Sequence, residues 1–115
     1  MTLGEQQRRF LPLVAKLIEW AYAQGYELTA GELYRTPQQA ALNAESGAGI
    51  KNSLHTQRLA IDVQLFINGV YQTDTPAYKP LGDFWVTLDP DCAWGGHFIT
   101  RPDGNHFSLK WQGIE

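Results

Sequence analysis

Residues 59–72, "LAIDVQLFINGVYQ", alternate apolar with small or polar side chains up to an Asn-Gly pair, then resume with valine and tyrosine. A period of two marks a strand with one buried face, and Asn68-Gly69 between two such runs is the strongest short signal for a β-hairpin. The pattern assigns Ile61, Val63 and Leu65 to the core face and Ala60, Asp62 and Gln64 to the other. Strands disfavour aspartate, so Asp62 inside an apolar run calls for a reason.

Upstream, the stretch "SLHTQRLAID" (53–62) places His55 seven positions before Asp62. An odd offset within one strand reverses the side-chain direction, so His55 shares a face with Asp62 only if it comes from the preceding turn, "KNSLHTQR" (51–58). Downstream, "WGGHFI" (94–99) and "NHFSLKW" (105–111) read as two short strands joined by a tight turn at "RPDGN" (101–105).

Toward the N-terminus, Thr2 and Glu5 form a capping box for a helix reaching about Ala23, where Gly25 is a natural stop. Phe10, Val14, Leu17, Ile18 and Ala21 recur on its inner face, and Pro12 is expected to bend it or delay its start. "YELTAGELYRT" (26–36) reads as a strand, and Thr36-Pro37 as the N-cap and first turn of a short helix over 37–45. "SGAGIKNS" (46–53) is a loop, and a further helix is expected around 79–88. These elements predict an α+β fold: a small antiparallel sheet flanked by a long N-terminal helix and short helices, with residues 1–115 forming a single domain.

The chain has 115 residues, 43% hydrophobic and 18% charged, an ordinary composition for a globular protein. A formal charge of −3 gives no electrostatic footprint for a polyanion, so nucleic acid is excluded as the expected partner. No apolar run suggests a secretory leader or a membrane span, and synthesis in the cytoplasm as a monomer is expected. Cys92, the single cysteine, cannot form an internal disulfide and has no basic neighbour in sequence, so it reads as structural. Burial explains most of the four tryptophans; one exposed beside a cleft would suit a sugar or peptide.

His55, Asp62 and His106 make two imidazoles and a carboxylate, a set suited to zinc that leaves a fourth position open, as metal-assisted hydrolysis requires. Asp103, three residues before His106, is placed to act on a water without being a ligand, as a general base and then an acid. Arg35 offers a donor fork for a substrate carbonyl, carboxylate or oxyanion. Spacing alone leaves His97 as a competing third ligand, and Asp103 also fits as a plain turn residue.

At these residues the chain resembles a known family. Ser53, His55, Ala60 and Asp62 match the Ser-x-His-x-x-Gly-x-Ala-x-Asp signature of the M15-type zinc peptidases. These include D-alanyl-D-alanine dipeptidases and carboxypeptidases and phage L-alanyl-D-glutamate endolysins. Arg58 stands where the signature has glycine. "WGGHFITRPDGNHF" (94–107) is similar to the second motif, and Asp103 resembles the endolysin branch, where the dipeptidases carry glutamate. Ser108 stands where many relatives carry glutamate, and "LYRTPQQ" (33–39) looks like the family's arginine segment.

The resemblance implies Zn2+ held by His55, Asp62 and His106, with Asp103 as acid/base and His97 outside the ligand set. It implies Arg35 on the substrate or oxyanion, Ser53 on the substrate or orienting a ligand, and Gln64 supporting the site. The implied activity is hydrolysis of a peptidoglycan stem-peptide amide, by analogy an L-Ala-D-Glu endolysin of phage or prophage released to the cell wall by a separate permeabilising protein. The alternatives are a D-Ala-D-Ala carboxypeptidase or dipeptidase, or a non-catalytic zinc-containing wall-binding module.

Overall fold

The structure is a computed structural model, and it describes residues 1–47 and 53–115. The loop expected over 46–53 therefore falls mostly outside the described residues. The hairpin forms as the alternation predicts. Strand β2 (Ala60–Ile67) turns into β3 (Val70–Gln72), with Ile67 opposite Val70. Asn68 and Gly69 take φ of 52° and 77°, the two successive positive values that a two-residue hairpin turn needs.

Strand β2 is the hub of a five-stranded antiparallel sheet. One edge pairs with β1 (Glu27–Ala30). The other edge pairs with β3 and, nearer its start, with β5 (His106–Leu109), which in turn pairs with β4 (Cys92–Trp94). Ile61, Val63, Leu65, Phe107 and Leu109 are all buried in the core. Helices α1 (Leu3–Ala23) and α3 (Lys79–Leu88) also contribute to it. There Trp85 stands edge-on to both Phe10 and Phe107, with ring centroids 6.0 and 6.1 Å away. Its indole N–H is satisfied by the carbonyls of Ala93 and Ser108 at 3.0 and 3.1 Å.

Helix α1 opens with the expected capping box, Thr2 and Glu5 each bonding the other's backbone N–H. It includes Pro12 and begins at Leu3, so proline does not delay its start. Its buried face carries Leu13, whereas Ile18 is 40% exposed. Helix α2 (Pro37–Ser46) is capped by the Thr36 hydroxyl, which accepts from the Gln39 N–H at 3.1 Å. The buried Cys92 thiol is pushed up to about 12 by burial and by the nearby Asp89 carboxylate, in keeping with a structural role.

Two strand boundaries differ from expectation. The strand expected over 26–36 ends at Ala30. Backbone pairing with β2 continues through Gly31 and Glu32, whose N–H and C=O bond the C=O and N–H of Asp62 at 2.8 Å each. The chain then swings toward the start of β2, so Arg35 sits on an irregular segment and not at a strand end. The stretch "WGGHFI" is no strand either: β4 stops at Trp94, and a 3-10 turn takes Gly95–His97. Gly95 is needed there, since a Cβ would lie 2.1 Å from the Asp103 carbonyl and 2.8 Å from the His106 Cβ. A Trp-Gly-Gly run imitates an apolar strand, but its glycine admits the 103–106 segment.

Candidate metal centre

Strand register makes half of the site. Asp62 and His106 are direct partners across the β2–β5 pair, so their side chains share the sheet face opposite the core. A one-residue slip of either strand would send one of them into the apolar core. His55 arrives from a single 3-10 turn, Leu54–Gln57, immediately before β2. The Ser53 hydroxyl caps that turn by accepting from the His55 N–H at 3.2 Å. Arg58 closes it in the left-handed region at φ 58°, and its guanidinium lies 4.0 Å over the Tyr34 ring. The turn expected before Asp62 is therefore present, and arginine serves where the signature has glycine.

The three side chains converge. One ligating atom from each of His55, Asp62 and His106 lies within 4.8 Å of the others. Asp62 Oδ1 stands 3.2 Å from His55 Nε2 and 3.5 Å from His106 Nδ1. Each imidazole has its other nitrogen on a backbone carbonyl. His55 Nδ1 is 2.9 Å from the Leu33 oxygen, and His106 Nε2 is 3.3 Å from the Glu115 oxygen. A carbonyl only accepts, so those outer nitrogens carry the protons and the inner ones present lone pairs. Three electron-pair donors then face one point, and Asp62 Oδ1 is buried there without a hydrogen-bond donor. With both imidazoles neutral, that arrangement is repulsive unless a cation occupies the point. An N2O donor set held by outer carbonyls fits zinc.

The electrostatics point the same way. Burial opposes ionisation of Asp62, yet the two histidines outweigh it and bring its carboxyl down to about 2. Burial also disfavours the His55 imidazolium, but Asp62 beside it raises the His55 pKa. The pair thus draws positive charge into a buried place.

The cluster forms one wall of a cleft of about 550 Å³. Arg35, Ser53, Asp103, Arg101 and Phe98 also line it, together with the segment Gly113–Glu115. Asp103 stands exposed at the rim, where its N–H bonds the Gly95 carbonyl at 2.9 Å and its own carbonyl accepts from the His106 N–H at 3.1 Å. Desolvation by the cleft walls, then the Asp62 charge, raise its pKa.

Arg35 is in the cleft, but its Nε and Nη2 are both engaged by the Glu32 carboxylate. His97 stands apart from the cluster, exposed, with its ring edge-on to Trp94 at 4.9 Å. Gln64 is hydrogen-bonded to Thr29 across the β1–β2 pair at 3.2 Å and does not line the cleft. The tryptophans are buried or half-buried, so none is an exposed platform.

Sequence reasoning missed four contributors. Glu32 holds Arg35, the Leu33 and Glu115 carbonyls orient the two histidines, and Arg101 sits on the rim. Ser108 shares the Glu115 carbonyl, donating to it at 2.9 Å. A carbonyl has no signature in residue type, so only the fold reveals two of these.

The sequence model of the D-alanyl-D-alanine carboxypeptidase family, among the M15 peptidases, matches residues 46–109, more than half of the chain. The chain belongs to that family. It is a zinc-dependent peptidase, and zinc is its metal. The solved structure of Serratia marcescens L-Ala D-Glu endopeptidase ChiX is similar to this peptidase with a TM-score of 0.70 at 22% identity, covering 93% of this chain and 85% of that one. The VanY E175A D,D-pentapeptidase of a VanB-type vancomycin-resistance cassette, solved in complex with Zn(II), gives a TM-score of 0.60 at 19% identity, covering 88% and 70%. These likenesses establish the fold. No curated protein sequence matches the peptidase. Among the described residues, no helix is long and apolar enough to cross a membrane.

Proposed function

We propose that this peptidase hydrolyses the L-Ala–D-Glu amide of peptidoglycan stem peptides, with zinc held by His55, Asp62 and His106. The observation that carries the reading is the convergence of three metal-ligating side chains in a cleft whose rim holds Asp103, a carboxylate outside the donor set. Zinc, when bound, supplies a Lewis-acidic charge that activates water and polarises the amide carbonyl.

The chain's own residues do the rest. Asp103 accepts a proton from the attacking water and returns it to the departing amine. Its raised pKa suits it to hold that proton between the two transfers. Glu32 holds Arg35 beside the cleft, where the guanidinium steadies the substrate or the developing oxyanion. Ser53 acts through His55, whose turn it caps. Asp103, as in the endolysin branch, and the ChiX fold both support the L-Ala–D-Glu bond. Action as a monomer on the cell wall, in an endolysin-like bacteriolytic role, completes the proposal.

A carboxypeptidase cleaving D-Ala-D-Ala is the second reading, favoured by the family description. Mass spectrometry of peptidoglycan digested by zinc-loaded protein separates the two, with a chelated control. New L-Ala and D-Glu termini that vanish with chelator are expected; released D-alanine moves the enzyme to the second reading. A wall-binding module with a closed zinc site would need a fourth protein ligand. His97→Ala is therefore expected to keep its zinc by elemental analysis.

A further inference from the structure

The cleft holds two arginines in different states. Arg35 has its donor fork on Glu32, and its side chain is only 13% exposed. Arg101 also lines the cleft and is exposed, and among the described residues its one hydrogen bond runs from Nη2 to the Gly47 carbonyl at 3.2 Å. Among the described residues no carboxylate lies within ion-pair distance of Arg101, although its charge reaches the Asp103 carboxylate; the other two carboxylates of the lining are engaged elsewhere. Asp62 faces the two histidines, and the Glu115 carboxylate pairs with Lys110 at 3.8 Å. Among the described residues Arg101 is thus the lining cation with most of its five donors unclaimed.

A guanidinium in that condition recognises a planar anion by two parallel hydrogen bonds. The substrate has one to offer. In the proposed bond the departing amine belongs to a glutamate, which carries two carboxyl groups. Extending the chain uses one of them and leaves the other free, a few bonds from the scissile nitrogen. Arg101 lies two residues before Asp103, the group assigned to protonate that same amine.

We infer that Arg101 is a specificity-determining residue that binds a free carboxylate on the amine side of the scissile bond. The inference rests on the reading of the chain as a stem-peptide endopeptidase and adds the feature of the substrate that it selects. Arg35 then serves the carbonyl side, held in place by Glu32, so the two arginines divide the substrate between them.

The test uses two synthetic stem peptides that differ only at that group, a free carboxylate in one and a carboxamide in the other. Zinc-loaded wild type is expected to favour the carboxylate peptide in kcat/KM by tenfold to about a hundredfold, the range for a charged hydrogen bond, mainly through KM. R101Q is expected to bring that ratio near one, and R101K, which keeps the charge but loses the fork, to fall between. A ratio in R101Q equal to the wild-type ratio overturns the inference. Zinc content and thermal melting establish that both variants are folded. If wild type cleaves neither peptide, the assigned bond is wrong, and the same pair is titrated as ligands by calorimetry. A carboxylate preference that R101Q abolishes still supports Arg101; equal binding of the two peptides by wild type overturns it.

Discussion

The floor and the rim of the cleft are built on opposite plans. On the floor, His55 and His106 are 2% and 7% exposed, each tied by its outer nitrogen to a backbone carbonyl, and Asp62 is placed by strand pairing. On the rim, Asp103 and Arg101 are exposed and belong to the connection between β4 and β5. A metal site needs donors already in place, since moving a ligand costs affinity, whereas groups that exchange protons or grip substrate need access to water. The two plans meet in one short turn, because the carbonyl of Asp103 accepts from the N–H of His106. Rim chemistry is thereby anchored to floor geometry.

If floor and rim are separable, their variants fail in different ways. Asp62→Ala removes a donor and leaves two buried imidazoles; loss of zinc by elemental analysis and a fall in turnover on the order of a thousandfold or more are expected. Retained zinc would show that another group completes the set. Asp103→Asn preserves the shape of the rim and removes its proton acceptor. Wild-type zinc content is expected with a loss of roughly a hundredfold or more in kcat, the usual range for a general acid–base residue. Zinc loss in that variant would move Asp103 from rim to floor.

Removing the metal tests the floor's charge. In chelated protein the folded Asp62 carboxyl titrates near 2 against an ordinary 3.8. The difference is worth roughly 2 kcal/mol of stability. Its pKa is depressed on folding, so this contribution is present above pH 3.8 and lost as pH falls toward 2. His55 behaves in the opposite sense. Its pKa is raised from 6.5, so its contribution is complete below that value and disappears as pH rises through the folded pKa. Thermal melts of zinc-free protein are therefore expected to peak between about pH 4 and 6.5. A melting temperature that keeps rising to pH 8 would mean that the histidines and Asp62 do not pair without metal.

How legible each half was in the sequence follows from the same contrast. The floor was legible because its three side chains are chemically distinctive, two of them on regular strands. Alternation from Leu59 put Asp62 on the polar face, and the odd offset placed His55 on a turn. The rim was legible only at Asp103, through its place before His106. Arg101 carried no pattern, and Gly95, which admits the rim segment, lay in a run misread as strand. The supports of the floor were silent too, because the Leu33 and Glu115 carbonyls are backbone groups that no residue type announces. On helix α1 one member of the inner face differs from expectation, Leu13 being buried in place of Ile18. Both lie within the apolar periodicity of α1, and only packing against the sheet and α3 decides between neighbours on that arc.

The smallest effect is expected at Arg58, behind the floor. An L-residue with a side chain at φ 58° costs about 1 kcal/mol that glycine does not incur. Arg58→Gly removes that cost. It also gives the unfolded chain extra freedom worth roughly 0.5–1 kcal/mol. The contact of the guanidinium with the Tyr34 ring, worth about 0.5–1 kcal/mol at an exposed site, is lost as well. One gain against two losses leaves a net destabilisation of roughly 0.5 kcal/mol, about 2 °C in Tm for a chain of this size. Zinc content is expected to match wild type, since the Leu33 carbonyl and the Ser53 cap still orient His55. A much larger loss of stability, accompanied by weaker zinc binding in chelator competition, would show that the Arg58–Tyr34 contact braces the 3-10 turn itself. The floor would then depend on an exposed surface pair, and its rigidity would not be a property of the buried carbonyl contacts alone.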